Sequence, residues 1–145
     1  MELFLKQGIA DIKFGMVESE IIHLLGNPDK IIVDQDSSDE LIYQYNTLKL
    51  RLSFYKTEGN RLGYIRCANC DLKYSGQSLL FRNVHDVINN VFSFSKDQWE
   101  IEEDYFFDTY TMEECWLVLN TEYDEVTDIE LGVPFKNHDD YDWPE

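Results

Sequence analysis

Hydrophobic residues recur at helical spacing in two short segments of the chain. In the first, positions i, i+4, i+7 and i+8 form one apolar stripe, made by Val17, Ile21, Leu24 and Leu25. The Gly-Asn-Pro sequence at 26–28 ends this predicted helix, because glycine and proline do not continue a helix. The stripe returns 67 residues later and predicts a second helix from near Asn83 to near Phe92, carried by Val84, Ile88, Val91 and Phe92.

Each predicted helix is followed by runs with the period of β-strands. In the clearest run, apolar Leu50, Leu52 and Phe54 alternate with polar neighbours, as expected for a strand with one buried face. The strands predicted in the first half are Lys30 to Val33, Leu41 to Tyr45, Leu48 to Tyr55 and Leu62 to Cys67. Those predicted in the second half are Gln98 to Glu102, Tyr105 to Tyr110, Glu114 to Thr121 and Val126 to Leu131.

The two halves align with each other. Residues 39–67 lie over residues 103–131 without a gap at an offset of 64. We therefore predict an α+β tandem repeat of a helix plus an antiparallel meander of about four strands, with repeats at about 8–72 and 73–135 of a single domain, 1–145. The units would share a continuous sheet or pack side by side, with helices on one face and the other face open. A short acidic tail, 136–145, follows, which Tyr141 and Trp143 can anchor.

Charge is distributed unevenly. The chain of 145 residues has a formal net charge of −17, and 43% hydrophobic residues suffice for a packed core. Up to Leu72 the net charge is −3, whereas from Lys73 onward it is −14. Such a chain repels nucleic acid and anionic membranes, and its natural complement is a basic protein surface. The plainer interpretation is that acidity serves solubility alone.

The cellular compartment is predicted from the lack of a recognisable signal peptide or membrane span in the sequence. The first residues do not contain a basic region followed by a long apolar stretch, and no apolar run reaches the length of a membrane span. Three cysteines, an odd number, suit a reducing compartment better than a disulfide framework. We expect a cytoplasmic protein. The sequence does not indicate its oligomeric state.

Aromatic and acidic residues alternate in the second half, and this pattern predicts a partner-binding surface. If Tyr105, Phe107 and Thr109 face the helices, then residues 106, 108 and 110 point to the open face, and residues 128 and 130 do the same. Aromatic rings anchor interfaces, and carboxylates accelerate the encounter with a basic partner. The candidate partner-binding residues are Trp99, Glu100, Glu102, Phe106, Asp108, Tyr110, Glu113, Asp128 and Glu130. Trp116 lies in a run that is apolar on both sides, and burial in the core is favoured for it.

Catalytic motifs are weak. The Cys67-x-x-Cys70 spacing suits half a zinc site or a redox pair, but no second such pair follows, and Cys67 aligns with Leu131, which indicates plain burial. The carboxylate pairs Glu102/Glu103 and Glu113/Glu114 are neighbours on strands and point to opposite faces. There is no glycine-rich phosphate loop and no nucleophile elbow. We expect no enzyme activity, no metal and no cofactor; a small enzyme with carboxylate chemistry is the least favoured alternative.

One segment resembles a known family. The stretch IADIKFGMVESEIIHLLGNPDKI, positions 9–31, resembles the opening of the repeat unit of the beta-lactamase inhibitory protein and the BamE/SmpA lipoproteins. The resemblance implies helices against an antiparallel sheet, used in tandem as a concave protein-binding surface without catalysis. Those relatives are secreted or lipid-anchored, whereas this sequence shows neither signal.

The chain is similar instead to bacterial immunity proteins of the contact-dependent inhibition type. We expect a cytoplasmic immunity protein that binds a basic toxin domain, most simply a nuclease, and occludes its site, because a nuclease site must hold phosphate. It would bind neither nucleic acid nor membrane directly. The alternative is a non-inhibitory adaptor or a chaperone-like module that uses the same face.

Overall fold

One antiparallel sheet of eight strands dominates the structure. In the computed structural model, which describes residues 1–33, 39–95 and 97–144, 42% of residues are in strands and 18% in helices. The strands are β1 (Leu3–Phe4), β2 (Gly8–Ile9), β3 (Ile12–Lys13), β4 (Lys30–Val33), β5 (Glu40–Tyr45), β6 (Leu50–Tyr55), β7 (Arg61–Cys67), β8 (Lys73–Tyr74), β9 (Gln77–Ser78), β10 (Glu100–Glu102), β11 (Thr109–Met112), β12 (Leu117–Glu122) and β13 (Glu125–Gly132). The order across the large sheet is β10-β11-β12-β13-β7-β6-β5-β4.

Helical segments are few and short. Helix α1 spans Glu18–Leu25, and Glu20 caps it by accepting a hydrogen bond from the amide of Val17. The second segment, α2, is an α-helix over Val84–Asp86 that continues as a π-helix over Val87–Val91. Asn83 caps it through its side-chain oxygen, which accepts from the amides of residues 85 and 86. Single 3-10 turns lie at Lys56–Glu58, Ser93–Ser95 and Glu113–Cys115.

The predicted α+β tandem repeat of a helix plus a meander is wrong. The described residues are mostly sheet, with two short helices and one eight-stranded antiparallel sheet. Small strands outside that sheet, β1–β3 and the hairpin β8–β9, had no counterpart in the prediction. The gapless alignment also fails at residues 103–108, which lie over β5 in the alignment but form a loop. Hydrophobic period alone does not separate strands from ordered loops, so a short alternating run predicts a strand even where the chain forms a loop.

The core is built on one face of the sheet from two rows of buried side chains that cross six strands. Strand register places these side chains side by side. One row is Met112, Leu117, Leu131, Ile65, Leu52 and Tyr43, and the other is Tyr110, Leu119, Ile129, Cys67, Leu50 and Tyr45. Every member is at most 4% exposed, and each aliphatic member contributes roughly 1.5–3 kcal/mol of burial free energy.

Both helices lie on this core face. The hydroxyl of Tyr43 donates to Glu18 of α1 at 2.6 Å, and that of Tyr45 donates to the carbonyl of Gly26 at 2.9 Å. Toward the other end of the strand order, on the same face, the ring of His85 in α2 meets the edge of Tyr110 at 6.1 Å between centroids. The opposite face of the sheet carries no helix among the described residues, and we call it the open face.

The carboxy-terminal segment is fixed to one end of the sheet. The amide of Val133 donates to the carbonyl of Gly63 at 2.8 Å. The ring of Tyr141 stacks on Phe135 at 4.8 Å and approaches Tyr55 at 5.4 Å. The guanidinium of Arg61 lies 4.1 Å from the ring centroid of Trp143, a cation–π contact. Tyr141 and Trp143 therefore anchor the segment that the sequence left without periodicity.

Thiol reactivity tests this placement of the core. Cys67 and Cys115 are buried, and burial raises the pKa of Cys67 and raises that of Cys115 to about 11. Cys70 is exposed. Because the thiolate is the reactive form, we expect iodoacetamide at pH 8 to label one thiol in the folded protein and all three in denaturant, as counted by mass spectrometry. A Cys70→Ser variant should lose the fast label, and rapid labelling of Cys67 or Cys115 would contradict the fold.

Candidate partner-binding surface

A polar network crosses the middle of the open face where β7 meets β13. Arg66 donates from Nε to Asp128 at 2.9 Å, and the hydroxyl of Tyr64 donates to Glu130. Asn120 donates from Nδ2 to both carboxylates, at 2.9 Å to Asp128 and 2.7 Å to Glu130. Asp128 and Glu130, two of the candidate binding residues, thus face outward but already have partners within the chain.

The environment of the network raises the pKa values of Tyr64 and Arg66. Burial raises the pKa of the Tyr64 hydroxyl, and the hydrogen bond to Glu130 raises it further. Burial alone would lower the pKa of Arg66, but Asp128 and Glu130 outweigh it, so the net shift is upward. Both shifts favour the protonated forms that these groups have at neutral pH, and the hydrogen bonds of the network connect β7, β12 and β13 across the open face.

Trp116 stands on the open face, so the expected burial in the core is wrong. It follows the 3-10 turn Glu113–Cys115 with a φ of 48°. Its neighbours Cys115 and Leu117 are both buried, so alternation turns the ring of Trp116 to the open face, and the residue is 38% exposed. A Cβ at Gly132 would lie 2.1 Å from Cδ1 of Trp116, so the ring sits directly over that glycine.

Strand β10 forms one edge of the sheet and exposes carboxylates. Glu100 and Glu102 are exposed and pair with Thr111 and Thr109 of β11. Trp99, just before the strand, is half-buried and donates from Nε1 to Ser95 at 3.2 Å. Its ring packs against the core, so the candidate role of Trp99 as an exposed anchor is not supported by its position.

Tyr110 is buried, and its predicted position on the open face is wrong. It is 4% exposed and lies in a core row next to Leu119. Strand β11 begins only at Thr109, so residues 103–108 do not alternate with it. Tyr110 and Met112 are the inward residues of the observed strand, and Thr109 and Thr111 face outward.

Four exposed aromatic rings gather where loop 103–108 meets the turn between β12 and β13. The exposed fractions are 93% for Tyr105, 66% for Tyr123, 56% for Phe107 and 53% for Phe106. Phe106 and Tyr123 stack with 4.6 Å between centroids. The expected position of Tyr105 and Phe107 on the helix side of a strand is wrong, because the segment is a loop. We call loop 103–108 together with turn 122–125 the acidic aromatic end.

Backbone hydrogen bonds hold the acidic aromatic end in one shape. Tyr123 donates its amide to the carbonyl of Phe106 at 2.8 Å, and Thr121 donates to that of Asp108 at 3.0 Å. The carboxylate of Asp108 accepts from the amide of Asp104 at 3.2 Å. Asp108, a candidate binding residue, thus shapes the loop that displays Phe106.

The turn itself is strained. Tyr123 and Asp124 have φ values of 51° and 64°, and the flanking Glu122 and Glu125 pair directly, which defines a two-residue hairpin. Such turns favour Asn-Gly, because a bulky residue with positive φ costs roughly 1–2 kcal/mol. An aromatic ring at the tip of this turn therefore opposes local backbone preference, as is common at functional positions.

Negative charge is concentrated around these rings. Between Asp97 and Phe135 the sequence has no Lys or Arg, whereas acidic residues recur throughout. Those of the acidic aromatic end are Glu103, Asp104, Asp108, Glu122, Asp124 and Glu125. In this geometry the carboxylates and the rings can meet one partner surface together.

The structure brings together only part of the predicted set. Phe106 and Asp108 lie in the acidic aromatic end, and Glu100 and Glu102 lie on the edge strand that leads into it. Glu113 is exposed in a turn at the opposite end of β12. Tyr105, Phe107 and Tyr123 were missed as exposed anchors. The available signal was the run Glu-Glu-Asp-Tyr-Phe-Phe-Asp at 102–108, whose three consecutive aromatic residues do not alternate.

Across residues 1–33, 39–95 and 97–144, no group of three or more His, Cys, Asp or Glu side chains is placed to hold a metal ion. Cys67 points into the core while Cys70 is exposed, so this pair does not face a common site. Among the described helices, none has the length and apolarity needed to cross a bilayer.

Alkaline titration tests the tyrosine environments. Burial raises the pKa of six hydroxyls above 10, those of Tyr43, Tyr45, Tyr55, Tyr64, Tyr110 and Tyr141. An acid whose pKa is higher in the folded chain stabilises the fold below the unfolded pKa, and this stabilisation is lost as the pH rises above it. We expect the free energy of unfolding to fall above about pH 10 and these hydroxyls to ionise together with unfolding, followed by tyrosinate absorbance and circular dichroism. Ionisation of all nine tyrosines in a folded protein would contradict these environments.

Comparison with known proteins identifies no family. A scan against protein families found no match, and a search of curated proteins found none either. Among solved structures, the chain is similar to the crystal structure of an extracellular protein containing an SCP domain from Bacillus anthracis str. Ames, with a TM-score of 0.54 and 11% identity. The match covers 81% of this chain and 43% of that one, so this chain spans less than half of its length. At this identity the likeness concerns the fold alone.

Proposed function

We propose that this chain binds a basic protein through the acidic aromatic end and blocks its activity, as the cytoplasmic immunity partner of a bacterial toxin of the contact-dependent inhibition type. The observation that carries the proposal is the set of four exposed rings on a hydrogen-bonded loop and turn, surrounded by carboxylates. No catalytic group is needed for this function, because occlusion of a site depends only on binding.

The rings favour a protein partner over simple solubility. Tyr105 and Phe107 are 93% and 56% exposed, and Tyr123 is held on a strained turn. A chain that needed only solubility would gain nothing from these rings, and contiguous exposed apolar surface commonly marks an interaction site. Aromatic residues carry a large share of binding free energy at interfaces, since they bury much area with little loss of side-chain entropy.

The pre-formed loop favours tight binding. Amide hydrogen bonds of 2.8–3.0 Å tie residues 106 and 108 to the β12–β13 hairpin, so the rings are ordered before a partner arrives. The stacked pair Phe106 and Tyr123 is stabilised by roughly 0.5–1.5 kcal/mol beyond its buried area. Pre-organisation reduces the entropy lost on association, and this is a recognised source of affinity.

The charge favours a nuclease as the blocked protein. A nuclease active site carries Lys and Arg because it must hold phosphate. Carboxylates at the acidic aromatic end can pair with those cations, while the rings exclude water around the pairs. Long-range attraction would also raise the association rate, by tenfold to a thousandfold at low salt in comparable systems.

Removal of two rings tests the surface. The partner to use is the purified product of a toxin-bearing reading frame adjacent to this gene. Because Tyr105 and Phe107 are outside the stacked pair, Tyr105→Ala with Phe107→Ala should leave the fold intact and weaken binding at least about thirtyfold, the loss of one anchor ring. Calorimetry would measure the affinity, and growth of cells that produce both proteins would report inhibition.

The matched control for the rings is Phe4→Ala, since Phe4 is 45% exposed on β1, outside the large sheet. It should bind like the wild type. Binding without loss of the partner's activity would instead support the adaptor alternative, and equal binding by both variants would remove the acidic aromatic end from the interface.

Reversing the charge of two carboxylates tests the electrostatic contribution to binding of the partner. Glu122 and Glu125 flank the turn, are exposed, and make no side-chain hydrogen bond in the described part of the chain. Glu122→Lys with Glu125→Lys should slow association with the same partner about tenfold at low salt and flatten its salt dependence, as followed by stopped-flow fluorescence. Asp139→Lys with Asp142→Lys makes the same change in net charge in the carboxy-terminal segment, beyond the opposite end of β13. If both pairs slow association equally, net charge rather than this surface steers the encounter.

A further inference from the structure

The amino-terminal half of the open face carries an unexpected cluster of cations. A groove of about 270 Å³ at the turn between β5 and β6 is lined by Gln44, Tyr45, Asn46, Lys49, Leu50, Arg51, Arg66 and Ala68. The whole chain has 12 Lys and Arg against 29 Asp and Glu, and three of those 12 border this one groove. The cluster lies on different strands from the acidic aromatic end.

Two of these cations lie directly opposite each other. Arg51 of β6 and Arg66 of β7 are register partners on the open face. Like charges at directly opposed positions destabilise a sheet. The positive charge of Arg66 is compensated by the carboxylate of Asp128 at 2.9 Å, whereas Arg51 has no carboxylate partner among the residues that the structure describes. The fold therefore tolerates an unfavourable pair that a bound anion would make favourable.

Each of the two guanidinium groups is oriented by a hydrogen bond from its own Nε atom. Arg51 donates from Nε to Oε1 of Gln44 at 3.1 Å, and Arg66 donates from Nε to Asp128. The side chain of Gln44 is itself held in place, because its Nε2 donates to Oδ1 of Asn46 at 2.7 Å. In the described part of the chain, the terminal Nη groups of both arginines have no hydrogen-bond partner. Two pre-oriented guanidinium groups with free donors suit the oxygen atoms of carboxylate or phosphate.

Lys49 is held at the rim of the same groove. It has a φ of 53° at the β5–β6 turn, where its amide donates to the carbonyl of Asn46 at 3.2 Å. Its own carbonyl accepts from the amide of Ala68 at 3.0 Å, which ties the turn to the end of β7. Asp128 reduces the positive potential near Arg66 and Glu130 lies beyond it, so Arg51 and Lys49 supply the net charge of the site.

We propose that this groove is an oxyanion-binding site in which Arg51 and Arg66 donate from their Nη groups to a carboxylate or phosphate and Lys49 adds a third positive charge. The site is independent of the acidic aromatic end and of the proposed inhibition. A ligand with a phosphate monoester and one with paired carboxylates share the chemistry that the groove recognises.

Titration with small anions tests the site. Inorganic phosphate and, separately, succinate are added to ¹⁵N-labelled protein at constant ionic strength maintained with sodium chloride, and arginine Nε–H and backbone signals are followed by NMR. We expect saturable shifts centred on Arg51, Arg66 and Ala68 with at least one anion. Saturation with phosphate only would indicate a phosphate-bearing ligand, and saturation with succinate only would indicate a dicarboxylate.

The variants are Arg51→Gln and Lys49→Gln, with Lys56→Gln as the matched control. Lys56 is exposed at the opposite end of β6, and its substitution changes the net charge equally. Each groove variant should weaken anion binding at least tenfold, whereas the control should keep the wild-type affinity. Linear, non-saturating shifts with both anions, or equal affinity in Arg51→Gln and wild type, would overturn the proposal.

Discussion

The pairing of β7 with β13 is the contact on which the rest of the architecture depends. Four register pairs, from Ile129 opposite Cys67 to Gly132 opposite Tyr64, join strands β4–β7 to strands β10–β13. Each of these four-stranded parts buries little on its own, and small sheets are marginal without a shared core. The junction lets the two core rows run unbroken from Met112 to Tyr43 and from Tyr110 to Tyr45, so that α1 and α2 cover one continuous apolar surface.

The same junction determines how charge is displayed on the open face. Since Arg66 and Tyr64 lie across from Asp128 and Glu130, the carboxylates nearest the junction are bound within the chain. Carboxylates farther out, on β10 and around the β12–β13 turn, lack such partners in the described residues. Carboxylates without a cationic partner in the described residues therefore gather toward the acidic aromatic end, while Arg51 and Lys49 place two cations on the other half of the face.

Local sequence rules recovered the strands better than they recovered the architecture. The prediction of β4 as Lys30 to Val33 is confirmed, including its first and last residues. The other three predicted strands of the first half differ from the observed ones by one or two residues at their starts. Alternation succeeds there because each strand has one buried face and polar neighbours on the other. The predicted helix-plus-meander repeat failed because similar alternation was assigned to residues 103–108, where backbone hydrogen bonds to the neighbouring hairpin stabilise a loop instead.

The errors at the candidate site have two physical origins. Trp116 follows the alternation of its buried neighbours Cys115 and Leu117, but its run is apolar on both sides, so the sequence does not indicate which side is the core. Tyr105 has a left-handed conformation inside loop 103–108, where no strand alternation applies. A tyrosine with positive φ is rare, so hydrophobic period does not predict it, and the available signal is the run of three aromatic residues at 105–107, which does not alternate. The consequence is also functional, because the left-handed residues Tyr105 and Tyr123 lie in the loop and the turn that display the exposed rings. Strain at these positions is balanced by the hydrogen bonds and stacking around them, and the exposed rings are therefore a property of the folded hairpin rather than of the local sequence.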